Sequence, residues 1–272
     1  MNHHNPSTSV LEGLIDRLRL RLNARATAAT REWWTKYLRG AASFRGVKMG
    51  DVRSALHAWF EEEQVAEHLS VEQQKDLALM LLEADYTEDK LAGVLFLQEI
   101  LLLAGALDWR SDLPRFARLF DQGYIRDWNI CDWFCVKVLG SLVEQQGEAC
   151  ARAISEWRGA NSVWQRRASV VAFANLASKG DRNFAGFTEM VLDTCSQLLG
   201  SQERFAQTGV GWILRELSRS DEGRVIRFVE ANLNRFSREG LKNATKDLQP
   251  AVSERLRQAH LPSDTRGRRR RR

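Results

Sequence analysis

A seven-residue pattern recurs along this chain and decides its fold: Leu-Ala-Gly-Val-Leu-Phe-Leu (91–97), Arg-Ala-Ser-Val-Val-Ala-Phe (167–173) and Gln-Thr-Gly-Val-Gly-Trp-Ile (207–213). Asp-Trp-Phe-Cys-Val-Lys-Val (132–138) fits the same frame more loosely. The starting positions 91, 132, 167 and 207 are separated by 41, 35 and 40 residues, a period typical of stacked two-helix repeats. The small residues within the frame allow neighbouring helices to approach closely. Such stacks curve and present one concave face.

The spacing of apolar residues is helical along nearly the whole chain. Between Val10 and Leu22 apolar residues stand at 10, 11, 14, 15, 18 and 22, and no stretch alternates with period two over the length of a strand. Ser70 and Ser220 are among the predicted helix N-caps. The fold class is therefore predicted to be all-α, with HEAT-like helical hairpins stacked in a curved solenoid that has a concave groove. We expect a single domain over residues 10–262. Further helices are predicted at 30–40, 49–62, 71–83, 88–104, 112–121, 127–146, 148–158, 161–178, 183–199, 203–219, 221–232, 236–247 and 250–260.

Hydropathy and cysteine usage narrow the class of protein. No apolar run approaches the ~18–20 residues that span a membrane, and the N-terminus does not read as a secretory signal, so we expect a soluble, intracellular protein. Four cysteines are too few and too scattered for a disulfide framework. Cys131 and Cys135 stand four residues apart, a spacing open to two interpretations: zinc ligands or small buried residues. We expect neither a metal nor a cofactor.

The net charge of +5 comes from the C-terminus. Arg266 and Arg268 to Arg272 supply six positive charges, and without them 34 Lys and Arg face 35 Asp and Glu. The end segments, 1–9 and 263–272, are predicted to be disordered. The arginine-rich tail is open to three interpretations: attraction to phosphates, a nuclear address, or a solvated end without a dedicated role.

Trp128 and Asp132 are the first candidates for chemistry, because residues four apart on a helix project from the same face. Trp212 follows two repeats later. A carboxylate flanked by indole rings suits a cation. The alternative is that these residues are a core tryptophan and a solvated or salt-bridged aspartate. The other seven tryptophans, which are interpreted as packing residues, are Trp33, Trp34, Trp59, Trp109, Trp133, Trp157 and Trp164.

Five motifs, in order and at family-like separations, resemble the AlkD-type DNA alkylation repair glycosylases, which are built from HEAT-like repeats. The similarity covers most of residues 30–248. The motifs are Phe-Arg-Gly-Val-Lys-Met-Gly-Asp-Val-Arg (44–53), Trp-Asn-Ile-Cys-Asp (128–132), Asn-Ser-Val-Trp-Gln-Arg-Arg-Ala-Ser (161–169), Gly-Val-Gly-Trp-Ile-Leu-Arg-Glu (209–216) and Ser-Arg-Glu-Gly-Leu (237–241).

The resemblance implies roles for individual residues. The family's catalytic aspartate corresponds to Asp132 and its two active-site tryptophans to Trp128 and Trp212. The residues expected to bind DNA are Arg167, which would contact phosphate, Tyr37 near the lesion, Phe205, and the basic residues Lys48, Arg166, Arg215 and Arg238. This sequence departs from the family pattern at Arg204, where an aromatic residue is usual, and at Asp127, where another tryptophan is usual. These departures bear on substrate range.

The implied function is a DNA glycosylase that begins base excision repair by hydrolysing the N-glycosidic bond of cationic purines such as 3-methyladenine and 7-methylguanine. Its expected partner is double-stranded DNA with alkylated purines. We expect the protein to be a monomer and not to associate with a membrane. The expected location is the cytoplasm and nucleoid in a bacterium or the nucleus in a eukaryote.

Two other functions remain open. Relatives of this fold that lack the aspartate bind branched or distorted DNA without catalysis, and Asp132 between Trp128 and Trp212 favours the enzyme. A protein-binding HEAT scaffold would not need a cluster of tryptophans and a carboxylate.

Overall fold

The computed structural model describes residues 8–260, and this part of the chain is helical without any β-strand. The one β-type contact there is an isolated bridge between Ser43 and Tyr86. The predicted all-α fold of helical repeats is confirmed. None of the helices in residues 8–260 is long and apolar enough to cross a membrane. The predicted disorder of the arginine-rich tail concerns residues outside the described part, as does that of residues 1–7.

The chain divides into two compact units, each with its own core. The first unit runs to Asp108 and includes Gln122–Val138; the second contains Trp109–Asp121 and the chain from Leu139 onward. The prediction of a single domain over 10–262 stays a prediction. The helices of the first unit are α1 (Thr8–Asn23), α2 (Ala28–Tyr37), α3 (Met49–Glu62), α4 (Val65–His68), α5 (Val71–Glu83), α6 (Thr87–Leu95) and, after α7 of the second unit, α8 (Trp128–Phe134).

The helices of the second unit are α7 (Trp109–Asp121), α9 (Gly140–Ser155), α10 (Val163–Val171), α11 (Phe187–Leu198), α12 (Arg204–Ser218), α13 (Glu222–Asn232), α14 (Arg238–Ala244) and α15 (Pro250–Ala259). In the first unit a π-helical turn follows α6 at Phe96–Leu101, and another follows α8 at Cys135–Leu139, where the second unit begins. The second unit also has 3₁₀ turns at Glu156–Gly159, Ala177–Arg182 and Leu233–Arg235. Helix α9 is kinked at Gly147, where the predicted helices 127–146 and 148–158 divide. Helix α1 begins at Thr8, two residues before the predicted start.

The four frame positions stand at matching places in four helices. Leu91, Asp132 and Arg167 each lie four residues after the start of α6, α8 and α10, and Gln207 lies three residues after the start of α12. Helix α6 packs on α8 in the first unit, and α10 packs on α12 in the second.

The small residues of the frame lie where backbones approach closely. A Cβ atom on Gly93 would stand 2.8 Å from the Ala78 carbonyl oxygen of α5, and one on Gly211 would stand 2.5 Å from the Gly240 carbonyl oxygen of α14. The helix spacing of the repeat therefore requires glycine at these positions.

Gln207, the polar residue at the last frame position, lies inside the fold and does not line a groove. Its side chain is fully buried, its Nε2 donates to the Ser201 and Arg235 carbonyl oxygens, and its Oε1 accepts from the Ser237 amide. The residue satisfies backbone groups between α12 and α14, so its polarity serves the fold.

Candidate functional site

Helix α8 presents Trp128 and Asp132 together because of where it begins. The Asp127 carboxylate caps the helix by accepting a hydrogen bond of 3.0 Å from the Ile130 amide. The residues that α8 buries are Asn129, Ile130, Cys131 and Phe134. Trp128 and Asp132, one turn apart, are both only partly buried and share the remaining face. The two side chains therefore lie on one face of α8, while their catalytic role stays a prediction.

A group of aromatic rings from α2 lies against Trp128. The Tyr37 ring meets the indole of Trp128 edge to face, with centroids 5.5 Å apart. Trp33 stacks on Tyr37, with ring centroids 5.1 Å apart and ring planes within 9° of each other. Trp34 stacks on Phe44. Tyr37 is 52% exposed and Trp33 57% exposed. Trp33 is therefore a surface residue, which corrects its interpretation as a packing residue; Trp59, in contrast, is fully buried.

A polar cavity of about 170 Å³ lies beside the start of α8. Lys90 lines it, and its ammonium donates to the carbonyl oxygens of Leu82 at 2.8 Å and Tyr124 at 2.6 Å. Burial lowers the pKa of Lys90 to about 8, against the attraction of Asp127. Burial likewise raises the pKa of Asp127, against the hydrogen bonds from the Ile130 and Asn129 amides. No local pattern predicts the burial of Lys90, because it depends on contacts with segments distant along the chain, such as that with Tyr124.

The motif at 44–53 owes its form to two buried acids on α6. Glu88 accepts hydrogen bonds from the amides of Arg45, Gly46 and Val47 at 2.8–3.0 Å. Asp89 accepts from the Arg45 guanidinium through both carboxylate oxygens, at 2.6 and 2.8 Å. The loop before α3 is held rigidly as a result, and Lys48 at its end is exposed to solvent.

In the second unit, Arg167 is nearly enclosed. Its side chain is 5% exposed, and its Nη1 donates to the Phe205 carbonyl oxygen at 2.9 Å and the Thr208 hydroxyl at 3.2 Å. The guanidinium carbon lies 6.0 Å from the centre of the Trp212 ring. The structure thus brings together Arg167, Phe205 and Trp212, while phosphate binding by Arg167 stays a prediction.

Trp212 is held in a polar setting on α12. Its indole Nε1 donates to Glu216 at 3.1 Å, and the same carboxylate oxygen accepts from Arg215 at 2.8 Å. Phe205 contacts Trp164, with ring centroids 4.4 Å apart. Trp212 remains only partly buried, so part of its ring can reach a ligand.

The remaining basic candidates differ in how far their charge is used inside the protein. Arg166 forms an ion pair with Glu203 and donates to the Ala160 and Asn161 carbonyl oxygens. Arg238 is exposed on α14. The two departures from the family pattern have local explanations: Asp127 caps α8, and Arg204 forms a two-bonded ion pair with Glu239.

The cysteines are buried, and the Sγ atoms of Cys131 and Cys135 are 3.9 Å apart. Within the described residues there is no group of three or more His, Cys, Asp or Glu side chains that could hold a metal ion.

Comparison with known proteins gives two findings. The family model of the DNA alkylation repair enzymes matches residues 18–248, most of the chain. A solved structure, a predicted DNA alkylation repair enzyme from Enterococcus faecalis, is similar in fold with a TM-score of 0.69 and 15% identity, covering 83% of this chain and 98% of that one. No curated protein matches the sequence significantly.

Proposed function

The chain belongs to the family of DNA alkylation repair enzymes, and within that family we propose that it is a DNA glycosylase for cationic alkylated purines. Membership assigns it a role in alkylation repair, with DNA as its partner, and confirms the resemblance carried by the five motifs. The proposed substrates are 3-methyladenine and 7-methylguanine in duplex DNA. The observation that carries the proposal is the shared, partly open face of Trp128 and Asp132, with Tyr37 against the indole.

The proposed chemistry begins with a base that already carries a positive charge. When the N-glycosidic bond breaks, its electron pair moves to the base and neutralises it, so the leaving group needs no general acid. Positive charge develops on the deoxyribose, where the Asp132 carboxylate stabilises it. Water, oriented by Asp132, then adds to C1′ and releases one proton to the solvent. The products are the free base and an abasic site.

The aromatic residues contribute by excluding water and by attracting the cation. The partly buried ring of Trp128 offers apolar surface to the sugar, and its face attracts positive charge. The family resemblance implies the same role for Trp212. Anchoring of Trp212 by Glu216 fixes its ring before the substrate arrives. Preorganised groups of this kind stabilise a developing charge without reorganising during the reaction.

Base release from defined DNA tests the proposal. The protein is incubated with duplexes that contain 7-methylguanine or 3-methyladenine, and free base is measured by chromatography and mass spectrometry. We expect release of both cationic bases and no release of the neutral lesion uracil, because no general acid activates a neutral leaving group. Binding of alkylated duplex without release of any base would contradict the proposal and favour the non-catalytic DNA binder.

A further inference from the structure

Helix α2 exposes large aromatic rings although it is firmly anchored. It has no buried residue, and Trp33 and Tyr37 are the two most exposed aromatic side chains in residues 8–260. Its N-cap Thr27 donates its amide to the Gly46 carbonyl oxygen at 2.9 Å, and the Arg31 side chain donates to the Arg45 carbonyl oxygen at 3.0 Å. A fixed helix that keeps its aromatic rings in water has left apolar surface available for a ligand.

The two rings are already arranged as a stack. Their planes lie within 9° of each other, while Trp34 meets Trp33 edge to face at 4.7 Å and Trp128 meets Tyr37 at 5.5 Å. These edge contacts fix the orientation of the pair. A planar ring can therefore join the stack without much ordering of the protein side chains.

The charge around α2 indicates an anionic partner. Residues 24–40 contain Arg25, Arg31, Lys36 and Arg39 against the single acid Glu32. The Arg25 and Arg31 side chains donate hydrogen bonds to the carbonyl oxygens of Arg21 and Arg45, which carry no formal charge. A partner that combines planar rings with regularly spaced negative charge is a nucleic acid.

We propose that Trp33 and Tyr37 form a stacking platform for an unpaired nucleobase of DNA, with the surrounding basic residues attracting its phosphates. The choice of DNA rests on the proposed function; the platform itself needs no catalysis. Bases within an intact duplex are occupied by their neighbours in the stack, so the platform selects DNA in which one base has left the helix.

The experiment uses unmethylated DNA, so that it is independent of base release. Fluorescence anisotropy gives the Kd for a paired duplex and for the same duplex with one additional, extrahelical base. Wild type is expected to prefer the bulged duplex. Trp33→Ala is expected to weaken binding to the bulged duplex by about five- to 100-fold, with little change for the paired one, since stacking on one ring is lost.

Matched variants separate stacking from charge and from folding. Trp33→Phe keeps a flat ring and is expected to retain most of the preference. Leu103→Ala removes an apolar side chain that is 79% exposed in the same unit and is expected to leave both Kd values unchanged. Lys36→Gln is expected to weaken binding to both duplexes by a similar factor, because it removes one positive charge. Circular dichroism of each variant checks that the helices remain.

Three results would overturn the inference. Trp33→Ala could lower the affinity for both duplexes equally, or it could leave both affinities unchanged. The protein could also bind phosphatidylserine vesicles in a Trp33-dependent manner while its DNA binding does not depend on Trp33. The last would assign the platform to a membrane surface. Release of methylated bases by a protein without the bulge preference would leave the glycosylase proposal intact and refute this one. Bulge preference without base release would do the reverse.

Discussion

At the scale of single residues, the carboxylate of Asp132 carries the proposed reaction. It shares an open face of α8 with Trp128, while the residues that hold the helix in the core lie on the opposite side. Asp132→Asn keeps the shape of the side chain and removes its charge. Folding and DNA binding should therefore persist while base release falls by about 10²–10³-fold, the usual loss for one preorganised electrostatic contact.

Single-turnover release of 7-methylguanine at saturating protein measures this effect, and anisotropy with the same duplex measures binding. Loss of a negative charge near the DNA phosphates should leave the affinity equal or slightly higher. Release by Asp132→Asn at the wild-type rate would refute the proposed mechanism.

Lys90 gives a prediction about stability at alkaline pH. Its pKa is about 8 in the folded protein because of burial, against an ordinary value of 10.5. Between these values the unfolded chain binds the extra proton, so the stability of the folded protein rises with pH across this window. Below pH 8 both states are protonated and the burial cost of the ammonium is present in full.

The comparison with Lys90→Met isolates this effect. The free energy of unfolding of wild type relative to the variant should increase between pH 7.5 and 10.5, by about 3 kcal/mol at most. Urea unfolding at several pH values measures it. A difference that stays constant or decreases would show that Lys90 retains its proton in the folded state.

At the scale of elements, the glycine of the loop before α3 sets the position of α2. Gly46 has φ +102°, and a Cβ there would lie 2.3 Å from the Thr27 carbonyl oxygen, where α2 begins. Gly46→Ala should therefore destabilise the protein by about 3 kcal/mol or more. Gly50, in the first turn of α3, has open space around it, so Gly50→Ala should stabilise by up to about 1 kcal/mol. Thermal unfolding of the two variants should shift in opposite directions; equal shifts would contradict the role of Gly46.

The sequence predicts those elements whose signals are local. Helices α3 and α5 have the predicted bounds, and Ser70 caps α5 in a reciprocal pair with Gln73, as serine before a helix and glutamine three residues later should. The cap before α13 is Asp221 rather than Ser220, whose hydroxyl donates to the Ala177 and Leu217 carbonyl oxygens. The hydrogen bond from Ser220 to Ala177, 43 residues away in the sequence, is not visible in the local pattern that predicts caps.

The residues of the candidate site also divide into those placed by local spacing and those placed by contacts with distant segments. The spacing of Trp128 and Asp132 requires only one helix, so the sequence places them on a common face correctly. The exposure of Trp33 and the burial of Gln207 and Arg167 depend on which helices lie beside α2, α10 and α12. Helical periodicity identifies the face of a helix but not its neighbour, and for that reason these three side chains could not be assigned from the sequence.

At the scale of the whole molecule, charge is distributed unevenly along the chain. Without the six terminal arginines, 34 basic residues face 35 acidic ones. Several arginines of the described residues are also engaged by acids, among them Arg45 with Asp89 and Arg204 with Glu239. Nonspecific attraction to DNA should therefore depend strongly on the C-terminal tail.

Truncation after Thr265 tests this dependence. Each phosphate contact contributes about 0.9 to the slope of log K against log salt concentration, so loss of six arginines should flatten the slope by at most ~5 and weaken duplex binding at low salt. Base release at saturating protein should persist, because the tail holds none of the proposed catalytic residues. Removal of Met1 to Ser7 is the matched control, since this segment of similar length contains no Lys, Arg, Asp or Glu and should leave the slope unchanged. Unchanged binding of the C-terminal truncation at low salt would show that the tail does not contact DNA and that the groups in residues 8–260 account for the whole of the electrostatic attraction.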